Sequence, residues 1–326
     1  ENKDETYRHA VNIISDLNSL PAITHGSVVV MGDFDGVHSG HAALIAETVA
    51  RAQAASLDAV LVTYEPSPKK ILKKLKHDSR LTTFAEKKTL LGGTGLTTVV
   101  FYPVTAATLK ISARTFLRDF LLARLKMRCL VMGGDHHFGH NRRGNARYLA
   151  AAQQRYGFEL KIVDEQITDG QRTSSSRMRA ALSEGDTETV SRILGRPYSV
   201  AGEVLHGERR GSQLGFPTAN IALDPEKLLP LTGVYSGTVV LPGGQRVAAV
   251  ANLGHKPTAG EFPLGLEVHL LDFSGDLYGK TLLFEFNRRI RGEQKFDGLD
   301  ALKARIAQDV HLAREHASGA KKMSYF

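Results

Sequence analysis

Two histidines three apart, His38 and His41, close the stretch Met31-Gly-Asp-Phe-Asp-Gly-Val-His-Ser-Gly-His41, in which Gly32, Gly36 and Gly40 interrupt any regular backbone. Imidazoles at that spacing can touch one anion together, and a glycine-broken backbone leaves N–H groups free beside them. A phosphate suits such a loop. The flanking residues supply the elements that would aim it. Residues 28–31 are an apolar run, as expected of a strand buried on both faces. From His41 onward Leu44, Ile45, Val49 and Ala52 fall on one face, so a helix starts there with its positive end toward the loop. The pattern is neither the Walker loop nor the dinucleotide fingerprint. A metal would also accept His-x-x-His, but no cysteine or carboxylate cluster nearby completes a site. Two exposed loop histidines are the plainer alternative.

Other stretches carry candidate chemistry. In Thr173-Ser-Ser-Ser-Arg177 the serines precede a helical run and read as caps. Ser175 and Ser176, with their N–H groups, and Arg177, with its charge, could equally hold phosphates. Gly207, Gly211 and Gly215 recur at a spacing that lets backbone approach a ligand, and Thr218 and Asn220 follow with uncharged oxygens. Such a pair suits Mg²⁺, which keeps phosphate and water among its ligands, although a turn with Asx chemistry is the bland reading. Glu267 falls on a strand, on the opposite face from Val268, and a half-buried carboxylate there needs a reason. His136, His137 and His140, with the distant His38, suggest a metal, yet a polar loop explains them more simply. The lysine-rich run 69–77 reads as a solvated face.

Composition sets limits. A chain of 326 residues suggests two domains. Hydrophobic content of 42% and charged content of 23% are those of an ordinary globular protein. Cys129 is alone, which excludes an internal disulfide and points to a reducing compartment, the cytoplasm. No apolar run is long enough to span a membrane, and the opening residues carry no signal-peptide pattern. The first residue is Glu1 rather than Met, so an upstream piece is expected. The net charge of +8 admits nucleic acid, but no basic stripe is interleaved with aromatics and tryptophan is absent. Anionic small molecules fit the charge better.

In the first half, strands expected at 28–31, 59–64, 97–103, 128–133 and 158–163 alternate with helices at 84–91, 113–125 and 144–155, after a helix-like lead-in over 9–20. That alternation implies a Rossmann-like parallel sheet covered on both faces, with its ligand at the carboxyl ends of the strands. After a connecting helix over 185–194 the pattern changes to short alternating strands at 198–205, 233–241, 247–253, 266–273 and 281–286, which predicts an antiparallel barrel. An amphipathic helix over 299–313 closes it. The expected domains are 1–185 and 186–326.

The segment Phe34-Asp-Gly-Val-His-Ser-Gly-His41 resembles the His-x-Gly-His signature of cytidylyltransferase-like nucleotidyltransferases. It is most similar to the form found in bacterial bifunctional riboflavin kinase/FMN adenylyltransferases. Ser175-Ser-Arg-Met-Arg179 resembles a second element of that family, about 130 residues further on in the expected order. Gly215-Phe-Pro-Thr-Ala-Asn220 resembles the flavokinase motif. The similarity runs from about residue 27 to 315. It implies a kinase that makes FMN from riboflavin and an adenylyltransferase that makes FAD from FMN, with ATP as substrate of both and Mg²⁺ as cofactor. By resemblance, Glu267 is the base for the riboflavin hydroxyl. Gly32, Phe34, Asp35, Gly40, His38, His41, Ser175, Ser176 and Arg177 handle ATP in the first reaction site, and Gly207, Gly211, Gly215 and Thr218 in the second. Thr218 and Asn220 hold the metal, while Asp135, Phe138, Arg291 and Glu293 meet the flavin. The chain departs from the family at Ser67, His136, His137, Ser212 and Lys256. The implied partners are small molecules, with neither nucleic acid nor membrane, and a weak homo-oligomer is left open. Two competing readings are a nucleotidyltransferase with another substrate and a basic RNA-binding or regulatory protein. The flavokinase motif argues against the first, and the second requires the departures to disable catalysis.

Overall fold

The computed structural model describes residues 11–207, 211, 214–255 and 264–320, without the side chains of 318–320. The chain divides between Thr173 and Ser174 into two compact units.

The first unit is built on six strands: β1 (Asn12–Ile14), β2 (Ser27–Met31), β3 (Asp58–Glu65), β4 (Thr98–Pro103), β5 (Met127–Gly133) and β6 (Glu159–Val163). They pair in the order β1-β4-β3-β2-β5-β6, every pair parallel. Each β2 residue is buried because the two sheet faces share its side chains. Val29 and Met31 enter one apolar cluster with Val60, Leu117 and Leu130. Val28 and Val30 enter the other with Ile45, Leu61 and Val99. The helices are α1 (Ser39–Ala55), α2 (Pro68–Leu72), α3 (Phe84–Gly92), α4 (Ala113–Thr115, continuing as a π-helical stretch Phe116–Arg124) and α5 (Ala146–Tyr156). A small hairpin, β7 (Ile167–Thr168) and β8 (Gln171–Arg172), ends the unit.

The helical lead-in expected over 9–20 is corrected within the described part. Residues 12–14 form the edge strand, with Asn12 opposite Thr98. Val11 and Ile13 pack toward one cluster and Ile14 toward the other, which is the two-residue alternation of a strand. Pairing with β4 satisfies the backbone in a way one short amphipathic turn could not. A single 3-10 turn, Leu17–Ser19, follows, capped by Asp16.

The second unit opens with α6 (Ser175–Glu184) and α7 (Thr187–Leu194). Six antiparallel strands then close a barrel: β9 (Tyr198–Leu205), β10 (Ala219–Ile221), β11 (Gly233–Val240), β12 (Arg246–His255), β13 (Leu264–Leu270) and β14 (Thr281–Arg291). Alternate residues point inward, and the buried Val200, Val239, Ala251, Val268, Phe284 and Phe286 fill the interior. Helix α8 (Leu299–Ala320) lies on the outside, where Val310 and Ala313 pack on Val234 and Val250. β10 is too short to show as a periodic run in the sequence. Among the described residues no helix is long and apolar enough to cross a membrane.

Candidate active sites

The order of the first sheet reverses between β2 and β5, and at such a reversal a crevice opens at the carboxyl ends of the strands. The loop after β2 and the loop after β5 flank it. In the β2 loop the backbone turns sharply at Phe34 (φ 50°), Gly36 (φ 91°) and Val37 (φ 44°). The left-handed conformation at Phe34 is held because its ring is driven fully into the core. Asp35 is also turned inward. Thr82 N–H donates to Asp35 Oδ1 at 3.1 Å, and Gly36 N–H donates to Thr82 Oγ1 at 3.0 Å. Phe34 and Asp35 thus brace the loop with their side chains and leave its backbone to face a ligand.

His38 caps α1, its Nδ1 accepting from His41 N–H at 3.3 Å. The two imidazoles stack at 3.7 Å with 12° between planes, and Phe34 leans on His41 at 4.9 Å. A side chain on Gly40 would press on the His38 ring at 3.2 Å, so the glycine is what lets the ring lie flat there. Burial, then the charges of His38 and Lys87, hold the His41 imidazole well below the ordinary histidine range. His41 Nδ1 and Ser39 Oγ are buried polar atoms with no hydrogen-bond partner. Unsatisfied groups at a helix start, beside backbone N–H groups, make an anion site.

Sequence reasoning missed the support behind this loop. Lys87 is fully buried, and its Nζ donates to the Asp33 carbonyl at 2.6 Å, with the Asp33 carboxylate 3.7 Å away. Thr63 Oγ1 donates to the same carbonyl at 2.8 Å. Arg80, almost fully buried, donates to Glu65 Oε2 at 3.0 Å and Asp33 Oδ1 at 3.3 Å. Burial lowers the Lys87 pKa despite the carboxylates around it. The signal was present: Phe84, Lys87 and Leu91 lie on one helix face, and the two apolar members mark that face as inward. Ser67, one of the family departures, caps α2 and hydrogen-bonds Asp78.

In the β5 loop, Asp135 is gripped by Arg172 of β8, which also reaches Glu165 at 3.1 Å. Phe138 is in the core beside Phe116, and its backbone exchanges two hydrogen bonds with Gly144. Its ring shapes the loop from beneath. His137 and His140 hydrogen-bond backbone carbonyls. No three His, Cys, Asp or Glu side chains among the described residues are grouped to hold a metal. Ser174, not Ser175 or Ser176, caps α6, with its side chain accepting from Arg177 N–H at 3.2 Å. Ser175, Ser176 and Arg177 form the first turn of that helix in the second unit.

In the barrel, one register row crosses three strands: Asn220 on β10, Glu267 on β13 and Asn252 on β12. Their inward neighbours, Ala219, Val268 and Ala251, are buried, so the row lies on the outer wall. Glu267 is exposed rather than half-buried, because odd positions of β13 face outward. Asn252 was missed as part of this group; alternation along β12 is the signal that finds it. A side chain on Gly207 would collide with the Asn220 amide, and one on Gly211 would reach Thr218 Oγ1 at 3.2 Å. The two bare glycines therefore lie over the two uncharged oxygen-bearing side chains. That donor set fits a Mg²⁺ ion that takes most of its ligands from phosphate and water. Gly215 has φ 88°, a turn conformation that favours glycine.

Glu293 extends the same wall, over Gly254 and 3.7 Å from His255. Arg291 is engaged elsewhere. It forms a fork to Asp309 of α8 at 2.8–3.1 Å and lies 5.6 Å from the centre of the Phe296 ring, tying helix to barrel. Ser212 and Lys256 lie outside the described residues.

Residues 20–177 match the family model for FAD synthetase, and residues 194–317 match that for riboflavin kinase. The bifunctional riboflavin kinase/FMN adenylyltransferase of Pseudomonas fluorescens is 38% identical over 309 residues, covering 94% of this chain and 98% of the relative. The Escherichia coli (strain K12) protein of the same description is 35% identical over 302 residues, covering 93% and 96%. The Haemophilus influenzae one is 33% identical over 304 residues, covering 93% and 98%. A crystal structure described as a macrolide-efflux protein from Streptococcus pneumoniae superposes with a TM-score of 0.83 at 28% identity, covering 94% of this chain and 99% of that one.

Proposed function

From its membership, since the chain belongs to the bifunctional riboflavin kinase/FMN adenylyltransferase family, we infer that it phosphorylates riboflavin to FMN with ATP and then joins FMN to AMP from a second ATP, giving FAD and pyrophosphate. Residues 1–185 are assigned the adenylyl transfer and 186–326 the phosphorylation. The observation that carries the residue assignment is the outer-wall row Asn220–Glu267–Asn252 beside the glycine cradle.

In the kinase reaction Glu267 takes the proton of the riboflavin 5′-hydroxyl as that oxygen attacks the γ-phosphorus. An exposed carboxylate on a rigid strand suits the role: it is open to substrate and fixed by its two neighbouring strands. Asn252 and Asn220 flank it with neutral hydrogen-bonding groups, so no adjacent cation quenches the base from this row. Gly207, Gly211 and Gly215 admit the ATP phosphates, and Thr218 and Asn220 hold Mg²⁺. When bound, that ion neutralises phosphate charge. Glu293 is assigned to orienting the flavin. Arg291 supports that edge through Asp309.

In adenylyl transfer the FMN phosphate is already ionised and attacks the α-phosphorus of ATP directly, releasing pyrophosphate. No strong base is needed, and alignment and charge stabilisation do the work. His38 and His41 donate to phosphate oxygens from the start of α1, supported by the backbone of Gly32, Phe34, Asp35 and Gly40. Keeping His41 close to neutral leaves it free to present an N–H without a strong ion pair that would slow release. Asp135 and the main chain braced by Phe138 meet the flavin. Ser175, Ser176 and Arg177 are assigned to ATP because they fall inside the stretch matched to FAD synthetase. The lone thiol, Cys129, is buried on β5 and pushed up to about 11 by burial, which suits a cytoplasmic enzyme.

Incubation with riboflavin, ATP and Mg²⁺, followed by separation of the flavins, tests both halves. FMN should appear first and FAD after it. FMN supplied with ATP should give FAD and pyrophosphate in equal amounts. Absence of both products in a folded protein overturns the assignment.

A further inference from the structure

Lys87 is a fully buried cation to which the reaction above gives no part. Its Nζ donates to the Asp33 carbonyl at 2.6 Å, and Thr63 Oγ1 donates to the same carbonyl at 2.8 Å. Donors from α3 and β3 thus fix one peptide group, the one joining Asp33 to Phe34. It is the last peptide before the chain turns left-handed at Phe34, and that turn sets the path of the loop to His38 and His41. Thr63 alone would satisfy the carbonyl. An ammonium is costly to bury, and a hydrocarbon chain in its place would avoid the cost. The carboxylates of Asp33, Asp35 and Glu65 favour the charged form of Lys87, while burial and Arg80 oppose it. The charge also reaches His41, where it acts with burial and His38 against protonation.

We propose that Lys87 is a positioning residue for adenylyl transfer: its ammonium anchors the Asp33–Phe34 peptide, and with it the loop that carries His38 and His41, without touching substrate. This rests on the adenylyl-transfer reading above. The same cation opposes a positive charge on His41, the residue that meets the phosphates. Alignment of the loop matters most where charge builds during transfer, so its loss falls on kcat more than on KM for ATP.

The test uses the full chain with FMN and ATP. Lys87→Met removes the ammonium and keeps an unbranched chain in its place; the half-exposed Asp33 carboxylate retains Arg80 at 3.3 Å. Its kcat for FAD formation should fall about a hundredfold, as for a displacement of about 1 Å in aligned groups. KM for ATP should stay within about threefold and riboflavin phosphorylation within about twofold, since the loss is one of alignment at the other site. Thr63→Val removes the neutral donor from the same carbonyl and should cost less, about tenfold. Charge has its own signature in the NMR titration of the His41 ring, identified by loss of its signal in His41→Gln. Removing a nearby cation eases protonation, so the ring should titrate at higher pH in Lys87→Met than in the parent, and be unmoved in Thr63→Val. A parental kcat in Lys87→Met, a loss confined to KM for ATP, or an unmoved His41 titration overturns the inference. Lys87→Gln gives the same readings should the Met variant fold poorly. A parent that makes no FAD from FMN and ATP sinks the adenylyl-transfer reading as well, whereas a parent that makes FAD beside an equally active Lys87→Met sinks this inference alone.

Discussion

Gly207→Ala separates folding from phosphoryl transfer. A Cβ at position 207 would lie 2.9 Å from Asn220 Cγ and nearer still to its amide nitrogen, where ordinary contact begins at 3.4 Å. The amide must therefore retreat by at least half an ångström at Cγ, and by about 1 Å at the nitrogen, the scale of misplacement that can cost about a hundredfold in rate. What yields is the end of a side chain, not backbone, so the barrel keeps its shape. The backbone of Gly207 also has no left-handed φ that alanine would strain. The expected result is a protein with an unchanged circular dichroism spectrum and a thermal midpoint within a few degrees of the parent. FMN formation should fall about a hundredfold with riboflavin, ATP and Mg²⁺ saturating. FAD formation from supplied FMN should stay at the parental rate, since that activity is assigned to other residues. A folded Gly207→Ala protein that phosphorylates riboflavin within threefold of the parent refutes the argument that Asn220 is held in place by a missing side chain.

Glu267→Ala should remove riboflavin phosphorylation by two to three orders of magnitude and leave FAD formation from FMN intact, whereas His41→Ala should do the reverse; both rates are read by separating flavins, and parallel loss in either variant contradicts the assignment. Arg291→Met strands the buried Asp309 carboxylate, leaving it Arg305 at 3.4 Å, and should cost about 3 kcal/mol in urea unfolding; a change below about 1 would show the fork to be dispensable. Acid should destabilise the first unit. The folded His136 pKa, pushed down to about 4 chiefly by burial, lies below that of the unfolded chain, so the unfolded chain binds the proton first. Its contribution is complete above pH 6.5 and disappears as pH falls toward 4, a loss of up to about 3 kcal/mol. His41, lowered in the same direction by burial, His38 and Lys87, adds to it. Melts at pH 7 and 4.5 should show a smaller acid loss for His136→Gln than for the parent, and equal losses would contradict that account.

The parallel sheet and the barrel were legible because their patterns are strong: β2 is apolar from Val28 to Met31, and β9 was placed over its full length. The edge strand at residues 12–14 was not, because three residues show no period and take their structure from β4. β10 escaped for the same reason, although Asn220 within it had been singled out for its chemistry. Side-chain direction was the harder matter. Phe34, Asp35 and Phe138 stand in the expected loops, but each turns inward and works by holding backbone. Arg291 ends β14, five residues beyond the strand expected over 281–286, and its partner is eighteen residues away on α8; no local spacing announces a fork to a distant helix. Lys87 shows the converse. A lysine beside Glu86 and Lys88 looks solvated until the helix face it shares with Phe84 and Leu91 is considered.

The barrel's bore is stoppered by valines and phenylalanines, while Glu267 and its asparagine neighbours hang on the exterior. Such a cylinder is a pillar rather than a flask. Its contents can be exchanged, one hydrocarbon for another of equal bulk, without disturbing the reagents mounted on its flank. Robustness and turnover are thereby uncoupled, and a heat-resistant version could be sought from the inside while the working surface is left alone.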